Sequence, residues 1–360
     1  MRRPSDGTTT GWRTQVVAAS PAVLLVVLSV ADVATGRGNP VLGLVVVAPL
    51  LAATTHGPRV TASFAAAAFT IAALLGVWNH AYTPGDALTA QLVRLVVVAL
   101  GGAAAVLAAQ DRVVREDRLS RVTKVAEAAQ RAILLPVPER VGPALVAVHY
   151  ESAASDALIG GDLYAVVATP AGVRVLVGDV RGKGLDAVRM SAQVLSAFRE
   201  RASDAPDLPT LMGLVDRAVA RAAASDEEFV TALLLQIADD GRVQVANAGH
   251  PPPFVLSGGR TRLLHMPAPH PPLGLGGATT TVEITMAPSD RLLLYTDGLT
   301  EARDPRSRAF FSARTIAGTL TTGGTATEVL DLLRDEVVDW SGGSLSDDIA
   351  LVLIEYQPQV

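Results

Sequence analysis

The chain has 360 residues, 49% of them hydrophobic, a formal net charge of −5 and no cysteine. Without thiols, disulfides and thiolate metal sites are excluded, so any metal must be held by oxygen or imidazole. The mildly acidic balance, with no basic stripe in the charged part of the chain, gives no reason to expect nucleic acid as a partner.

Up to about residue 110 the chain is built from Val, Ala and Leu and is nearly free of charge, whereas the rest has an ordinary globular mix. Four apolar spans can be drawn, over residues 14–34, 40–56, 59–79 and 88–109. Each is about the length needed to cross a hydrocarbon core of about 30 Å, and the first is too long and too closely followed to be only a cleaved signal peptide. Polar turn clusters separate them, such as His56-Gly57-Pro58-Arg59 and Tyr82-Thr83-Pro84-Gly85-Asp86. Arg2, Arg3 and Arg13 precede the first span, Arg59 lies between the second and third, and Arg112, Arg115, Arg118, Arg121 and Lys124 follow the fourth. Against these, the outer loops offer Arg37. The positive-inside rule then puts both termini and the rest of the chain on the cytoplasmic side of the cell membrane, with the lipid bilayer as a partner. Arg94 falls inside the fourth span, where it reads either as a functional charge or as a side chain snorkelling from near one end. His80 and Asp86 read as solvated loop residues.

Residues 111–136 form a connector. Val113, Val114, Leu119, Val122, Val125, Ala126, Ala129 and Ile133 recur at spacings near three and four, which predicts an amphipathic helix that Pro136 and Pro138 end. It either pairs with its copy in a homodimer or packs on its own domain.

From residue 137 onward the pattern changes. Residues 144–150 read as a strand, 158–167 as a strand interrupted by Gly160-Gly161 before Asp162, and 173–177 as a strand ending at Gly178-Asp179. Helices are predicted over 186–201 and 208–224, then a hairpin of 231–237 and 241–247 turned at Asp239-Asp240-Gly241. Strands at 280–286 and 291–295 lead into an Asp-Gly turn at Asp297-Gly298, a helix follows over 326–340, and Asp347-Asp348 precedes the strand 349–355. Strands in hairpin succession, with helices gathered in the middle and near the end, indicate an α+β domain rather than a doubly wound sheet.

Acids therefore recur at strand ends: Asp162, Asp179, Asp297 and the pair Asp347-Asp348. Carboxylates without cysteine suit hard cations, which take oxygen ligands and water. Two such ions can activate a bridging water and stabilise a phosphoryl group in displacement, giving hydrolysis of a phosphate ester. A glycosidase needs two carboxylates rather than four stations, and aromatics for stacking sugars are few here. Gly182-Lys183-Gly184 lacks the glycine spacing and the following Ser or Thr of a nucleotide-binding loop. It reads as a plain turn or as a loop where Lys183 or a glycine amide meets an anion. His250, before three prolines, reads as a catalytic or ligand residue or as a hydrogen-bonder that orders its loop.

Five segments carry a resemblance: Ile159-Gly160-Gly161-Asp162-Leu163-Tyr164, Gly178-Asp179-Val180-Arg181-Gly182-Lys183-Gly184, Asn247-Ala248-Gly249-His250-Pro251-Pro252-Pro253, Leu293-Leu294-Tyr295-Thr296-Asp297-Gly298-Leu299-Thr300-Glu301-Ala302 and Ser346-Asp347-Asp348-Ile349-Ala350-Leu351. In order and spacing they resemble the motifs of PPM-type metal-dependent Ser/Thr protein phosphatases, in the bacterial branch named after stage II sporulation phosphatase E (SpoIIE). Gln130 and Leu134-Leu135-Pro136 also resemble the segment leading into that domain. The resemblance implies a two-sheet antiparallel β-sandwich flanked by helices; the apolar spans before it read as an all-α four-helix transmembrane domain and carry no such resemblance. It implies two divalent cations, Mn or Mg, with Asp179 bridging them and the Val180 carbonyl contributing. Asp297 and Asp347 would complete one ion's shell, Asp162 would serve the second through water, and Asp348 ranks below Asp347 as a ligand. Asp179 and Asp297 are the catalytic candidates, and Gly161, Lys183 and His250 are candidate phosphate or loop contacts. Composition, the connector pattern and the resemblance together divide the chain into domains 1–110, 111–136 and 137–360. The implied substrate is a phosphoprotein, in this branch typically an anti-sigma factor antagonist. One position departs from the pattern: Ala165 stands where the family usually has a second Asp, which motivates the alternative of a catalytically degenerate binding module.

Overall fold

A computed structural model describes residues 8–35, 40–152, 160–225, 227–266 and 271–358. Arg2, Arg3 and Arg37 of the topology reading, and residues 158 and 159 of a predicted strand, lie outside them. The chain divides into two compact units, residues 1–120 and 121–360.

The first unit is helical: α1 (Thr8–Thr35), a 3-10 stretch (Pro40–Val46), α2 (Val47–Thr55), α3 (Pro58–Trp78) and most of α4 (Asp86–Ile133). Three of these helices, α1, α3 and α4, are long and apolar enough to cross a membrane. The expected second span differs. Its backbone winds as 3-10 through Val46 and starts afresh as a short α-helix, with Pro49 in the first turn, where a missing N–H costs nothing. Small residues bring these helices together: a Cβ on Gly102 would lie 2.9 Å from the Ala65 Cβ. Polar groups in this unit pair with one another. Asn79 donates to buried Asp32 (2.9 Å), and Arg94 donates to Gln91 (3.1 Å), which in turn donates to the Ala72 carbonyl (3.0 Å).

The second unit begins with the end of α4 and continues through β1 (Arg140–Val141), β2 (Ala144–Glu151), β3 (Leu163–Thr169), β4 (Gly172–Val180), α5 (Leu185–Arg201), α6 (Leu208–Ala222), β5 (Val230–Ile237) and β6 (Arg242–Ala248). It then runs through β7 (Phe254–Ser257), β8 (Arg260–Leu263), β9 (Thr281–Thr285), β10 (Arg291–Tyr295), α7 (Asp297–Glu301), α8 (Ala313–Leu320), α9 (Ala326–Trp340) and β11 (Ile349–Tyr356). The strands form two antiparallel sheets, ordered β1-β2-β11-β10-β7-β8 and β3-β4-β5-β6-β9.

Period-two alternation decides which face of β10 and β11 meets what. Leu292, Leu294, Ala350, Val352 and Ile354 join the apolar layer shared with β4, β5, α5 and α6. Leu293, Tyr295, Ile349, Leu351 and Leu353 turn the other way, into a second layer closed by α8 and α9. Both faces of these strands are buried, which is why they read as continuous apolar runs. At about 25 cal/mol per Å², each such leucine contributes roughly 2 kcal/mol on burial. The helix ends are fixed by side chains: Asp207 accepts from the Thr210 amide (2.7 Å), and Thr325 with Glu328 forms a capping box on α9.

Candidate functional site

The pairing of β3 with β4, and of β10 with β11, brings four carboxylates from both sheets to one end of the sandwich. Asp162 precedes β3, Asp179 is the penultimate residue of β4, Asp297 opens α7 directly after β10, and Asp347 lies two residues before β11. With Gly160, Gly161, Val180, Arg181, Gly182 and Lys183, they line a cavity of about 240 Å³. A larger cavity, about 320 Å³, lies beside the start of α9 and is lined by Glu139, Thr325, Glu328 and Glu355. The smaller one is the site candidate, because it alone of the two gathers acids from both sheets.

Two glycines make room for this. They stand just before β3 rather than inside a strand, because the Gly160 amide donates to the Asp348 carboxylate and the Gly160 carbonyl accepts from Gln130. A Cβ on Gly161 would lie 2.3 Å from the Val180 carbonyl oxygen and 2.8 Å from Asp179 Oδ1. The Gly161 carbonyl accepts from the Val180 amide and the Ser191 hydroxyl (both 3.2 Å), which fixes the loop against β4 and α5.

Burial, and after it mutual repulsion, marks the electrostatics. Burial, then the neighbouring charges of Asp297, Asp347 and Asp348, push Asp179 up from 3.8 to about 7. Burial and the Asp179 charge raise the fully buried Asp162 well above the usual carboxylate range, and a 2.7 Å hydrogen bond from Thr296 partly opposes this. Asp297 is raised by burial, then by Glu301 and Asp347. A cavity holding carboxylates that repel one another is one a cation stabilises.

The donor set fits hard divalent ions. It offers carboxylate and carbonyl oxygen with no sulfur. Among the described residues no three His, Cys, Asp or Glu side chains are drawn together tightly enough to enclose an ion by themselves. Coordination completed by water, as magnesium in particular prefers, matches such an open arrangement.

Lys183 stands at the rim, its Nζ 3.3 Å from Asp347 Oδ1, both side chains about half exposed. Gly182 and Gly184 on either side have φ of +113° and +86°, a conformation that frees this loop from a regular turn geometry.

Two candidates from the sequence do not line the cavity. His250 is buried between the sheets, with Nε2 3.1 Å from the Tyr295 carbonyl and Nδ1 3.0 Å from the Thr231 hydroxyl. Because a carbonyl only accepts, Nε2 carries the proton and Nδ1 accepts from Thr231. Burial lowers this imidazole from 6.5 to about 4, so it is neutral and orders its loop rather than meeting phosphate. Asp348 is also buried, and its carboxylate accepts from Tyr150, Ser152 and the Gly160 amide. Thr296 was not singled out in the sequence. Its hydroxyl donates to Asp162 and accepts from the Ala350 amide (2.9 Å), linking the acid to both central strands. Its one sequence signal is a hydroxyl residue beside Asp297. Ala165 lies in the apolar core (3% exposed) and does not line the cavity, so the departure from the family pattern leaves the four acids intact.

Residues 169–357, more than half of the chain, match the family model described as Stage II sporulation protein E (SpoIIE). The chain belongs to the SpoIIE family. Its two-sheet unit has the PP2C-like phosphatase fold that this membership implies. Among solved structures, the RsbU and RsbW domains of Rv1364c from Mycobacterium tuberculosis are similar at 25% identity and a TM-score of 0.51, over 61% of this chain and 62% of that one. The SiaA-PP2C domain of Pseudomonas aeruginosa is similar in fold at 19% identity and a TM-score of 0.58, over 68% of this chain and 99% of that one. The PP2C phosphatase domain of SpoIIE from Bacillus subtilis, solved with a fragment of its regulatory domain, is similar in fold at 16% identity and a TM-score of 0.51, over 60% and 64%. A curated relative, Protein IcfG of Synechocystis sp., is 33% identical over 118 residues, which make up 32% of this chain and 18% of that protein.

Proposed function

We propose that this SpoIIE-family chain is a membrane-anchored, metal-dependent phosphatase that hydrolyses a phosphoserine or phosphothreonine on a protein. The observation that carries the reading is the convergence of Asp162, Asp179, Asp297 and Asp347 from two sheets on one cavity. Residues 1–110 serve as the anchor, 111–136 as the connector and 137–360 as the catalytic domain. Both termini are cytoplasmic in this reading. The exposed Val122 and Val125 on α4 favour a homodimer formed through the connector.

Asp179 would bridge two divalent cations, Mn or Mg, beside the Val180 carbonyl. Asp297 and Asp347 would complete the shell of one, and Asp162 would reach the other through water. Such ions supply a nucleophilic water at neutral pH and a positive clamp for phosphoryl oxygens. Thr296 and the Gly160-Gly161 loop hold Asp162 in place while this happens. Lys183, between Gly182 and Gly184, is the rim cation available to a phosphate oxygen of the incoming substrate. Membership of this family favours a phosphorylated anti-sigma factor antagonist as that substrate.

The test uses the full chain purified in detergent, with phosphate release from a phosphothreonine peptide and from an aryl phosphate measured with Mn, with Mg and after chelation. Metal-dependent release is expected. Asp179→Asn and Asp297→Asn should each lower it by more than the roughly 10–100-fold typical of changes outside the ligand shell. Absence of release from either substrate at any Mn or Mg concentration would refute the reading.

A further inference from the structure

Asp348 is one residue from a proposed ligand, yet three protein donors hold its carboxylate. Its Oδ2 accepts from the Tyr150 hydroxyl at 2.6 Å and from the Gly160 amide at 3.1 Å, and its Oδ1 accepts from the Ser152 hydroxyl at 3.1 Å. A Cβ on Gly160 would lie 2.2 Å from Oδ2 and 2.5 Å from Cγ, so the carboxylate lies flat against the glycine Cα. The Gly160 carbonyl on the other side accepts from Gln130 Nε2 at 3.2 Å. Burial and the Asp348 charge push the Tyr150 hydroxyl far above its ordinary range, so it stays protonated and can only be the donor in this pair. The carboxylate is therefore clamped behind the Gly160-Gly161 loop, while its neighbour Asp347 faces the cavity.

We propose that Asp348 is a positioning residue and not a metal ligand: held by Tyr150 and Ser152 from the end of β2, it holds the Gly160 amide and so sets Gly161 and Asp162 against the cation cavity. A carboxylate offers about four lone-pair directions, and a cation would have to displace donors that keep the loop in place. The role needs acceptor geometry rather than negative charge. An asparagine can keep it, with its oxygen toward Tyr150 and Gly160 and its amide nitrogen donating to the Ser152 hydroxyl. A true ligand loses charge and affinity together on the same change.

This inference rests on the metal-site reading above, and its test reads metal binding directly. Mn binding to the full chain in detergent is followed by the loss of the free-ion electron paramagnetic resonance signal, for the wild type, Asp347→Asn, Asp348→Asn, Asp348→Ala and Tyr150→Phe. Asp348→Asn is expected to stay within about threefold of the wild-type affinity, while Asp347→Asn falls at least about tenfold. Asp348→Ala and Tyr150→Phe should weaken binding by roughly 10–100-fold, in the range of changes outside the ligand shell. If Asp348→Ala does not fold, Tyr150→Phe and Asp348→Asn decide between them. Asp348→Asn losing as much affinity as Asp347→Asn, or Tyr150→Phe binding Mn as tightly as the wild type, overturns the proposal with the metal site left standing. A wild type that binds no Mn overturns the metal-site reading itself and the proposal with it.

Discussion

Replacing Asp179 with asparagine should stabilise the metal-free protein while abolishing its metal binding. Asp179 is raised from 3.8 to about 7 by burial and by three neighbouring carboxylates. A raised folded-state pKa means the folded protein binds more protons than the unfolded chain between those values, so stability is fully present below about pH 4 and declines as pH rises to 7. Three units at 1.36 kcal/mol each give a penalty on the order of 4 kcal/mol above pH 7, and roughly 1–2 kcal/mol at pH 5. For a unit of this size, 1 kcal/mol moves Tm by about 2–4 °C, so Asp179→Asn should raise Tm in chelator by up to about 8–16 °C at pH 8 and by only a few degrees at pH 5. Trp340, packed on Phe311 at 6.2 Å and donating to the Ala309 carbonyl, reports this unit once Trp12 and Trp78 are changed to phenylalanine in the full chain. A variant no more stable than its parent at pH 8 in chelator, or equally stabilised at both pH values, would show that burial and the neighbouring carboxylates do not hold the Asp179 carboxyl up as the geometry requires.

Three further predictions concern the groups around these acids. Thr296→Val removes the donor to Asp162 and the acceptor of the Ala350 amide, and should cost about 1–3 kcal/mol by thermal unfolding; the same variant should need a higher pH for half-maximal Mn binding, since Asp162 loses the bond that favours its ionised form. His250 is held neutral with a pKa near 4 against 6.5 when free, so its contribution is present above pH 6.5 and declines as pH falls to 4, by roughly 3 kcal/mol. That slope opposes the one from Asp179, so it should be measured in the Asp179→Asn background, where His250→Gln is expected to flatten it; an unchanged acid limb refutes the assignment. Gly161→Ala places a methyl group 2.3 Å from the Val180 carbonyl oxygen and should weaken Mn binding by an order of magnitude or more, read from the Mn resonance signal, with the unfolding transition retained.

The strands that organise the second unit were legible in the sequence because burial on both faces leaves unbroken apolar runs. The 349–355 run becomes β11, and the predicted helix over 326–340 becomes α9 with the same bounds. What escaped was short or polar. The segment after β10 reads as an Asp-Gly turn but folds as α7, whose five residues are too few for any helical period to register. The hairpin of β7 and β8 turns on Gly258 and Gly259, both at positive φ, and β8 is exposed along most of its length, so no alternation marks it. The four-span reading also met a limit of composition: residues 40–56 are apolar, but hydropathy does not register the change from 3-10 to α winding at Val47, which leaves only a short apolar helix there.

At the site, residue type was readable and direction was not. Carboxylates at the ends of apolar runs identify a place where charge is held rigidly, and four of them do line one cavity. Asp347 and Asp348 are adjacent in a segment without regular structure, so neither a two-residue nor a 3.6-residue period says which faces the cavity. The decision comes from residues far away in sequence. Tyr150 lies nearly two hundred positions earlier, at the far end of a strand that reaches Asp348 only because β2 pairs with β11 from Glu151↔Ile349 onward. Sheet pairing thus converts a two-acid ambiguity into two roles, one carboxylate facing the cavity and one holding the loop that shapes it. The same logic explains His250, whose apparent availability for chemistry disappears once Thr231 on one sheet and the Tyr295 carbonyl on the other take both of its nitrogens.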